Sequence, residues 1–129
     1  MVQPRLSVVV PFQDVESYLA ECLESIARQS FRDFEVVLVD DGSTDGSVRI
    51  AADFCAADRR FRLVRQHAHG PGHARNTGLR NTHPAAEFLA FVDGDDVIPE
   101  YAYELLVRTL EESEADFVSG NVQMMNSTK

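Results

Sequence analysis

Short apolar runs that stop abruptly in acidic or polar residues recur along this chain. Between them lie stretches whose apolar residues return every three or four positions. The first pattern predicts buried strands and the second amphipathic helices. Leu6 to Val10 is β-branched and ends at Pro11, which cannot donate to a central ladder, so a strand is expected there. Asp14 is then placed to cap a helix in which Tyr18, Leu19, Cys22, Leu23 and Ile26 recur at helical spacing. Phe34 to Val39 predicts the second strand. Ser43, Thr44 and Asp45 offer N-caps for a helix reaching about Ala57, with Val48, Ala51, Ala52 and Cys55 inward. Phe61 to Arg65 alternates weakly as a third strand, and a glycine-punctuated loop from Gly70 to Gly78 enters a short helix reaching about Asn81. Phe88 to Val92 predicts a fourth strand. A helix from Tyr101 to about Glu112 follows, with Ala102, Leu105, Leu106 and Leu110 as its buried stripe, and then a short strand from Phe117 to Ser119. Asn121 to Lys129 shows no clear pattern. Strands alternating with helices through short loops imply βαβ units, right-handed crossovers and a three-layer α/β/α fold with a mainly parallel sheet.

Composition narrows the function. A chain of 129 residues, 44% of them hydrophobic, suffices for one core, so residues 1–129 are expected to form a single domain. The formal charge of -9 argues against nucleic acid as a partner, because phosphate-backbone binders carry a basic stripe. Cys22 and Cys55 each fall in a helical apolar pattern, as buried small hydrophobes rather than a disulfide or metal pair. No apolar stretch has the length of a signal-peptide core or a membrane span. A cytoplasmic protein is expected, free or peripheral at the inner face of the membrane.

Candidate chemistry gathers at the strand tips. Pro11-Phe12-Gln13-Asp14, Asp40-Asp41-Gly42-Ser43 and Asp93-Gly94-Asp95-Asp96 each follow an apolar run, and in a parallel sheet all three emerge at one edge. If the chain stays extended through Gly94, Asp93 and Asp95 share a side while Asp96 points elsewhere. Two carboxylates about 4 Å apart repel by about 4 kcal/mol at an effective dielectric near 20, so protonation, a basic side chain or a divalent cation must compensate. Hard oxygen ligands favour magnesium, manganese or calcium over zinc. The loop Gly70-Pro71-Gly72-His73-Ala74-Arg75 lacks the third glycine of a dinucleotide fingerprint and the Gly-Lys-Ser/Thr of a P-loop. It does supply Arg75, a planar guanidinium suited to phosphate or a base edge. His67, His69, His73 and His83 are expected as loop or surface residues rather than metal ligands.

Four blocks then carry a resemblance. Ser7-Val8-Val9-Val10-Pro11-Phe12, Val39-Asp40-Asp41-Gly42-Ser43-Thr44-Asp45, Ala74-Arg75-Asn76-x-Gly78 and Phe91-Val92-Asp93-Gly94-Asp95-Asp96 together resemble the nucleotide-binding half of family 2 glycosyltransferases of the GT-A fold, from about Leu6 to Val118. The resemblance implies a nucleotide-diphosphate sugar donor, a UDP-sugar first, with Pro11 and Phe12 at the nucleoside, Asp41 at the base and Arg75 near the nucleotide. It implies that Asp93-x-Asp95 is the DXD motif, with Asp95 ligating Mn2+ or Mg2+ and Asp93 reaching the ribose or the metal through water. It further implies inverting transfer to a glycan, lipid-linked or other hydroxyl acceptor, in cell-wall or polysaccharide biosynthesis. The family's general base and acceptor elements lie downstream of the DXD strand, so the base is expected beyond Lys129 and the chain is expected to be the front part of a catalytic domain. The alternatives are a non-catalytic nucleotide or metal-binding module and a sugar-phosphate nucleotidyltransferase. The latter carries a glycine-rich basic signature after its first strand, which Pro11-Phe12-Gln13-Asp14 lacks.

Overall fold

The computed structural model describes residues 3–112, together with the backbone of Ser113, Phe117–Ser119 and Gln123–Asn126. The elements run β1 (Leu6–Phe12), α1 (Leu19–Ala27), β2 (Phe34–Asp41), α2 (Ser47–Ala57), β3 (Phe61–Gln66), α3 (Pro71–Arg80), β4 (Phe88–Phe91), α4 (Ala102–Ser113), β5 (Phe117–Ser119) and β6 (Gln123–Asn126). They form one sheet in the order β3-β2-β1-β4-β6-β5. β1 pairs in parallel with β2 and β4, and β2 with β3, while β6 runs antiparallel to β4 and β5. The sheet is mainly parallel, with an antiparallel edge.

Every residue of β1 is buried, as a central strand covered on both faces requires. Leu6, Val8, Val10 and Phe12 point to one face, where they pack with Leu19, Cys22, Leu23 and Ile26 of α1, Ala51 of α2, and Tyr103, Val107 and Leu110 of α4. Val9 points to the other face and joins Val37, Val39 and Ala74 of α3, with Val64 and Phe91 against them. Helices therefore lie on both faces, three on one and α3 alone on the other: the expected three layers. Each fully buried aliphatic side chain of β1 and β2 contributes about 1.5–3 kcal/mol of hydrophobic stabilisation. Gly78 brings α3 close to the sheet. A methyl group there would overlap Val9 Cγ1 and stand 3.2 Å from both Val9 Cγ2 and Val39 Cγ2.

Several local expectations are corrected. Asp14 does not cap α1, which starts at Leu19 after Tyr18 with no side-chain cap. Asp14 instead adopts a left-handed φ of 51° and turns its carboxylate to the β2–α2 loop. There Oδ1 accepts from the backbone N–H of Thr44 at 2.8 Å and of Asp45 at 3.3 Å. Helix α2 begins later than expected, with Gly46 at its N-cap. Ala52 is exposed, and Cys55 only partly buried. On α4 the buried stripe is Tyr103, Val107 and Leu110, with Leu106 partly buried, while Leu105 is 51% exposed. Spacing of i, i+4 and i+7 from Tyr103 makes a consistent stripe, and the aromatic ring meets Phe34 edge-on at 6.3 Å. Leu110 of the expected stripe is buried and Ala102 and Leu106 are partly so, whereas Leu105 faces out and Tyr103 and Val107 face in. Strand β6 falls within the stretch that showed no pattern.

Candidate functional site

The strand order explains where a cleft forms. From β1 the chain steps outward through β2 to β3 and then crosses back to β4 on the other side of β1, using α3 on the opposite face from α1 and α2. That reversal is a topological switch point, and the crevice outside the carboxyl ends of β1 and β4 is where open α/β sheets bind ligands. A cleft of about 370 Å³ lies there, and its lining includes Pro11, Phe12, Asp41, Arg75, Asp93 and Asp95. All six residues singled out from the sequence share it. Gln13, Val15, Pro71, Ala74 and Gly94 complete the wall.

Asp41 ends β2 and is 4% exposed. Its Oδ1 accepts from Gln66 Nε2 at 2.9 Å and from the backbone N–H of His69 at 2.9 Å, and its Oδ2 from the N–H of Gly70 at 3.1 Å. Burial pushes its pKa up, but the His69 N–H, the Gln66 amide and the Gly70 N–H together hold the carboxyl below its usual range. It is an ionised, acceptor-only group. Gln66 was missed in the sequence, although it ends β3 directly beside Asp41 in the parallel register. A residue matched to an acidic strand tip on the neighbouring strand is the signal that would have found it.

The acidic turn after β4 is not extended. Asp96 N–H donates to the Asp93 carbonyl at 3.0 Å, so the chain reverses and the expected strand-like alternation of Asp93 and Asp95 gives way to two exposed side chains on a turn. The turn is seated on β1 and α1. Gly94 N–H donates to the Pro11 carbonyl at 3.3 Å, and a Cβ at Gly94 would meet Phe12 Cβ at 2.7 Å and Val15 Cγ2 at 3.2 Å. Only glycine lets the turn come this close. Beneath it, Cys22 Sγ donates to the Asp93 carbonyl at 3.5 Å, and burial, then Asp96, Asp95 and Asp93, push that thiol up to about 12. Burial, then the charges of Asp95 and Asp93, also hold Asp96 above its usual value. Arg75 Nη2 lies 3.6 Å from Asp93 Oδ1, with both side chains about half exposed, a geometry worth little in water.

A reciprocal clasp joins the β1–α1 and β2–α2 loops. Asp14 N–H donates to Ser43 Oγ at 3.0 Å, Val15 N–H to Ser47 Oγ at 2.9 Å and Glu16 N–H to Asp45 Oδ2 at 3.1 Å. In return the N–H groups of Thr44 and Asp45 reach Asp14, and Gly46 N–H reaches Glu16 Oε1 at 2.9 Å. The four histidines are exposed or at loop positions, as expected.

Among the described residues no three His, Cys, Asp or Glu side chains are grouped to hold a metal ion by themselves. Asp93 and Asp95 nonetheless suit Mg2+ or Mn2+, which take hard oxygen donors, commonly one or two carboxylates with the rest from water and substrate phosphates.

The family model for glycosyl transferase family 2 matches residues 7–128. The chain belongs to that family. Glycosyltransferase GlyA of Streptococcus pneumoniae serotype 4 is 38% identical over 129 residues, which are 100% of this chain and 18% of its own length. The uncharacterized glycosyltransferase EpsJ of Bacillus subtilis is 36% identical over 115 residues, 89% of this chain and 33% of its own. The chain thus spans between 18% and 33% of the length of these two relatives. Among solved structures, Staphylococcus aureus TarS 1-349 in complex with UDP-GlcNAc matches with a TM-score of 0.78 and 33% identity, covering 88% of this chain and 33% of its own. The mannosyltransferase PcManGT of Pyrobaculum calidifontis, in complex with GDP-Man and Mn2+, reaches a TM-score of 0.84 at 22% identity over 99% of this chain and 46% of its own, a likeness of fold. The three-layer sheet is a GT-A fold, and its family is one of enzymes.

Proposed function

We propose that this chain is the donor-binding part of a glycosyltransferase that uses a nucleotide-diphosphate sugar, a UDP-sugar first, together with Mn2+ or Mg2+. The sugar passes with inversion to an acceptor hydroxyl on a glycan, lipid-linked or other carrier. One observation carries the reading: Pro11, Phe12, Asp41, Arg75, Asp93 and Asp95, spread over 85 positions of sequence, line a single cleft. Structures of TarS in complex with UDP and with UDP-GlcNAc support it.

In this reading Pro11 and Phe12 form an apolar wall for the nucleoside, Asp41 accepts from the base, and Arg75 leaves Asp93 to face the nucleotide. Asp95 holds the metal directly, and Asp93 takes the ribose or reaches the metal through water. The cation would let a diphosphate enter a carboxylate-lined cleft and stabilise charge building on the departing oxygen. Inverting transfer also needs a carboxylate to take the acceptor proton. None of the described residues is assigned that role.

Among the described residues no helix is long and apolar enough to cross a membrane. Cys22 and Cys55 are free thiols, which suits the reducing cytoplasm, and we place the protein there, free or peripheral at the inner membrane face. Isothermal titration of UDP with and without Mn2+ tests the function. Binding that requires the metal is expected. Equal affinity without it, or no binding in either condition, overturns the reading.

A further inference from the structure

The hydrogen bonds around Asp41 limit what that carboxylate can read. An ionised carboxylate offers about four lone-pair sites, two on each oxygen. Gln66 Nε2 and the His69 N–H occupy both sites on Oδ1, and the Gly70 N–H occupies one on Oδ2. One site remains. The Gln66 amide is itself held in this orientation, because its Oε1 accepts from Thr77 Oγ1 and from His73 Nδ1 at 3.3 Å, leaving Nε2 to face Asp41. Arg80 Nη2 in turn donates to Thr77 Oγ1 at 3.2 Å.

We infer that Gln66, locked by Thr77 and His73, is a positioning residue that sets base specificity by saturating one oxygen of Asp41. The inference rests on the proposed role of Asp41 at the base. A uracil or thymine edge presents a single imide N–H between two carbonyls and fits one vacant lone pair. A guanine edge presents two parallel N–H donors that ask for both carboxylate oxygens, and one of these is closed. Cytosine and adenine set a ring-nitrogen lone pair beside their amino group, which an ionised carboxylate repels. The site therefore selects uracil or thymine nucleotides. Removing the Gln66 donor returns a lone pair to Oδ1 and opens a two-point contact with guanine.

The test is Mn2+-supported titration of UDP and GDP against the wild-type protein, Gln66→Met and Thr77→Val. Wild type binds UDP at least about tenfold more tightly than GDP, the worth of about one hydrogen bond. In Gln66→Met the ratio falls by about tenfold, largely because GDP improves. Thr77→Val moves it in the same direction by letting the amide turn, and carries the comparison alone should Gln66→Met fail to fold. A merely structural role would weaken both nucleotides together. An unchanged ratio in the folded variants overturns the inference while leaving the nucleotide site in place. Failure of the wild type to bind any nucleotide removes both.

Discussion

Gly78→Ala offers a sharp check on the packing described above, because two effects of opposite sign compete within one helix. In an exposed helix interior the change from Gly to Ala gains about 1 kcal/mol. At Gly78 the added methyl overlaps Val9 Cγ1 and sits 3.2 Å from Val9 Cγ2 and Val39 Cγ2, where carbon atoms prefer roughly 3.5–4.0 Å. Rotating Val9 exchanges one γ-methyl for the other, and Val9 and Val39 are fully buried, so α3 itself must lift away from the sheet. Overpacking of this kind typically costs about 1–3 kcal/mol, and this site stands at the upper end. The net is a loss of about 1–2 kcal/mol, or a fall of about 4–7 °C in Tm for a chain of this size. Gly72, in the first turn of the same helix, has open space where its Cβ would go. Gly72→Ala should therefore hold or raise the Tm. Circular-dichroism melts of the two variants, with Val9→Ala alone and combined with Gly78→Ala, decide the matter. The double variant should show a favourable coupling of about 1 kcal/mol or more, since the truncated valine makes room. If Gly78→Ala melts above wild type, or its effect simply adds to that of Val9→Ala, the close approach of α3 is not what requires glycine.

Two further outcomes concern charge. Asp95→Ala should abolish Mn2+-dependent UDP binding and hold or raise the metal-free Tm by removing one of three neighbouring carboxylates; a manganese-induced shift that survives in the variant would exclude Asp95 as the ligand. Asp58 is held below its usual range by Arg60, whose guanidinium and N–H both donate to it, against the opposing effect of burial. A depressed carboxyl stabilises the fold above its unfolded value near 3.9 and loses that contribution as pH falls through the native value. Wild type should thus out-melt Asp58→Asn by a constant margin from pH 7 down to about pH 5, with the margin closing in stronger acid. A margin that does not change with pH would show that Asp58 acts without its charge.

How far the sequence revealed this molecule depended on whether a signal was local. β1, β2 and β4 were legible because strands buried on both faces read as apolar runs. Their tips were legible because a parallel sheet sends them all to one edge, which brought Pro11, Asp41 and Asp93 together from distant positions, while Arg75 reaches the same cleft from α3. Asp14 was misjudged because a carboxylate ahead of a helix resembles a cap, whereas its partners are backbone amides 30 and 31 residues away. On α4 leucine spacing pointed to Leu105, which is exposed, and passed over Tyr103, whose ring packs against Phe34. Gly78 and Gly94 read as punctuation. Their function is to admit Val9 and Phe12, which no spacing rule relates to them. Gln66 stayed hidden for the same reason, since its meaning appears only once β3 lies beside β2.

The clasp between residues 14–16 and 43–47 has a practical consequence. Each loop supplies both donors and acceptors to the other, so transplanting one of them into a related enzyme would strand amides and carboxylates of its counterpart. Re-tooling the cleft for a different sugar nucleotide therefore means moving the two loops as a matched pair, or leaving both untouched and redesigning the part of the lining that α3 supplies, Pro71, Ala74 and Arg75.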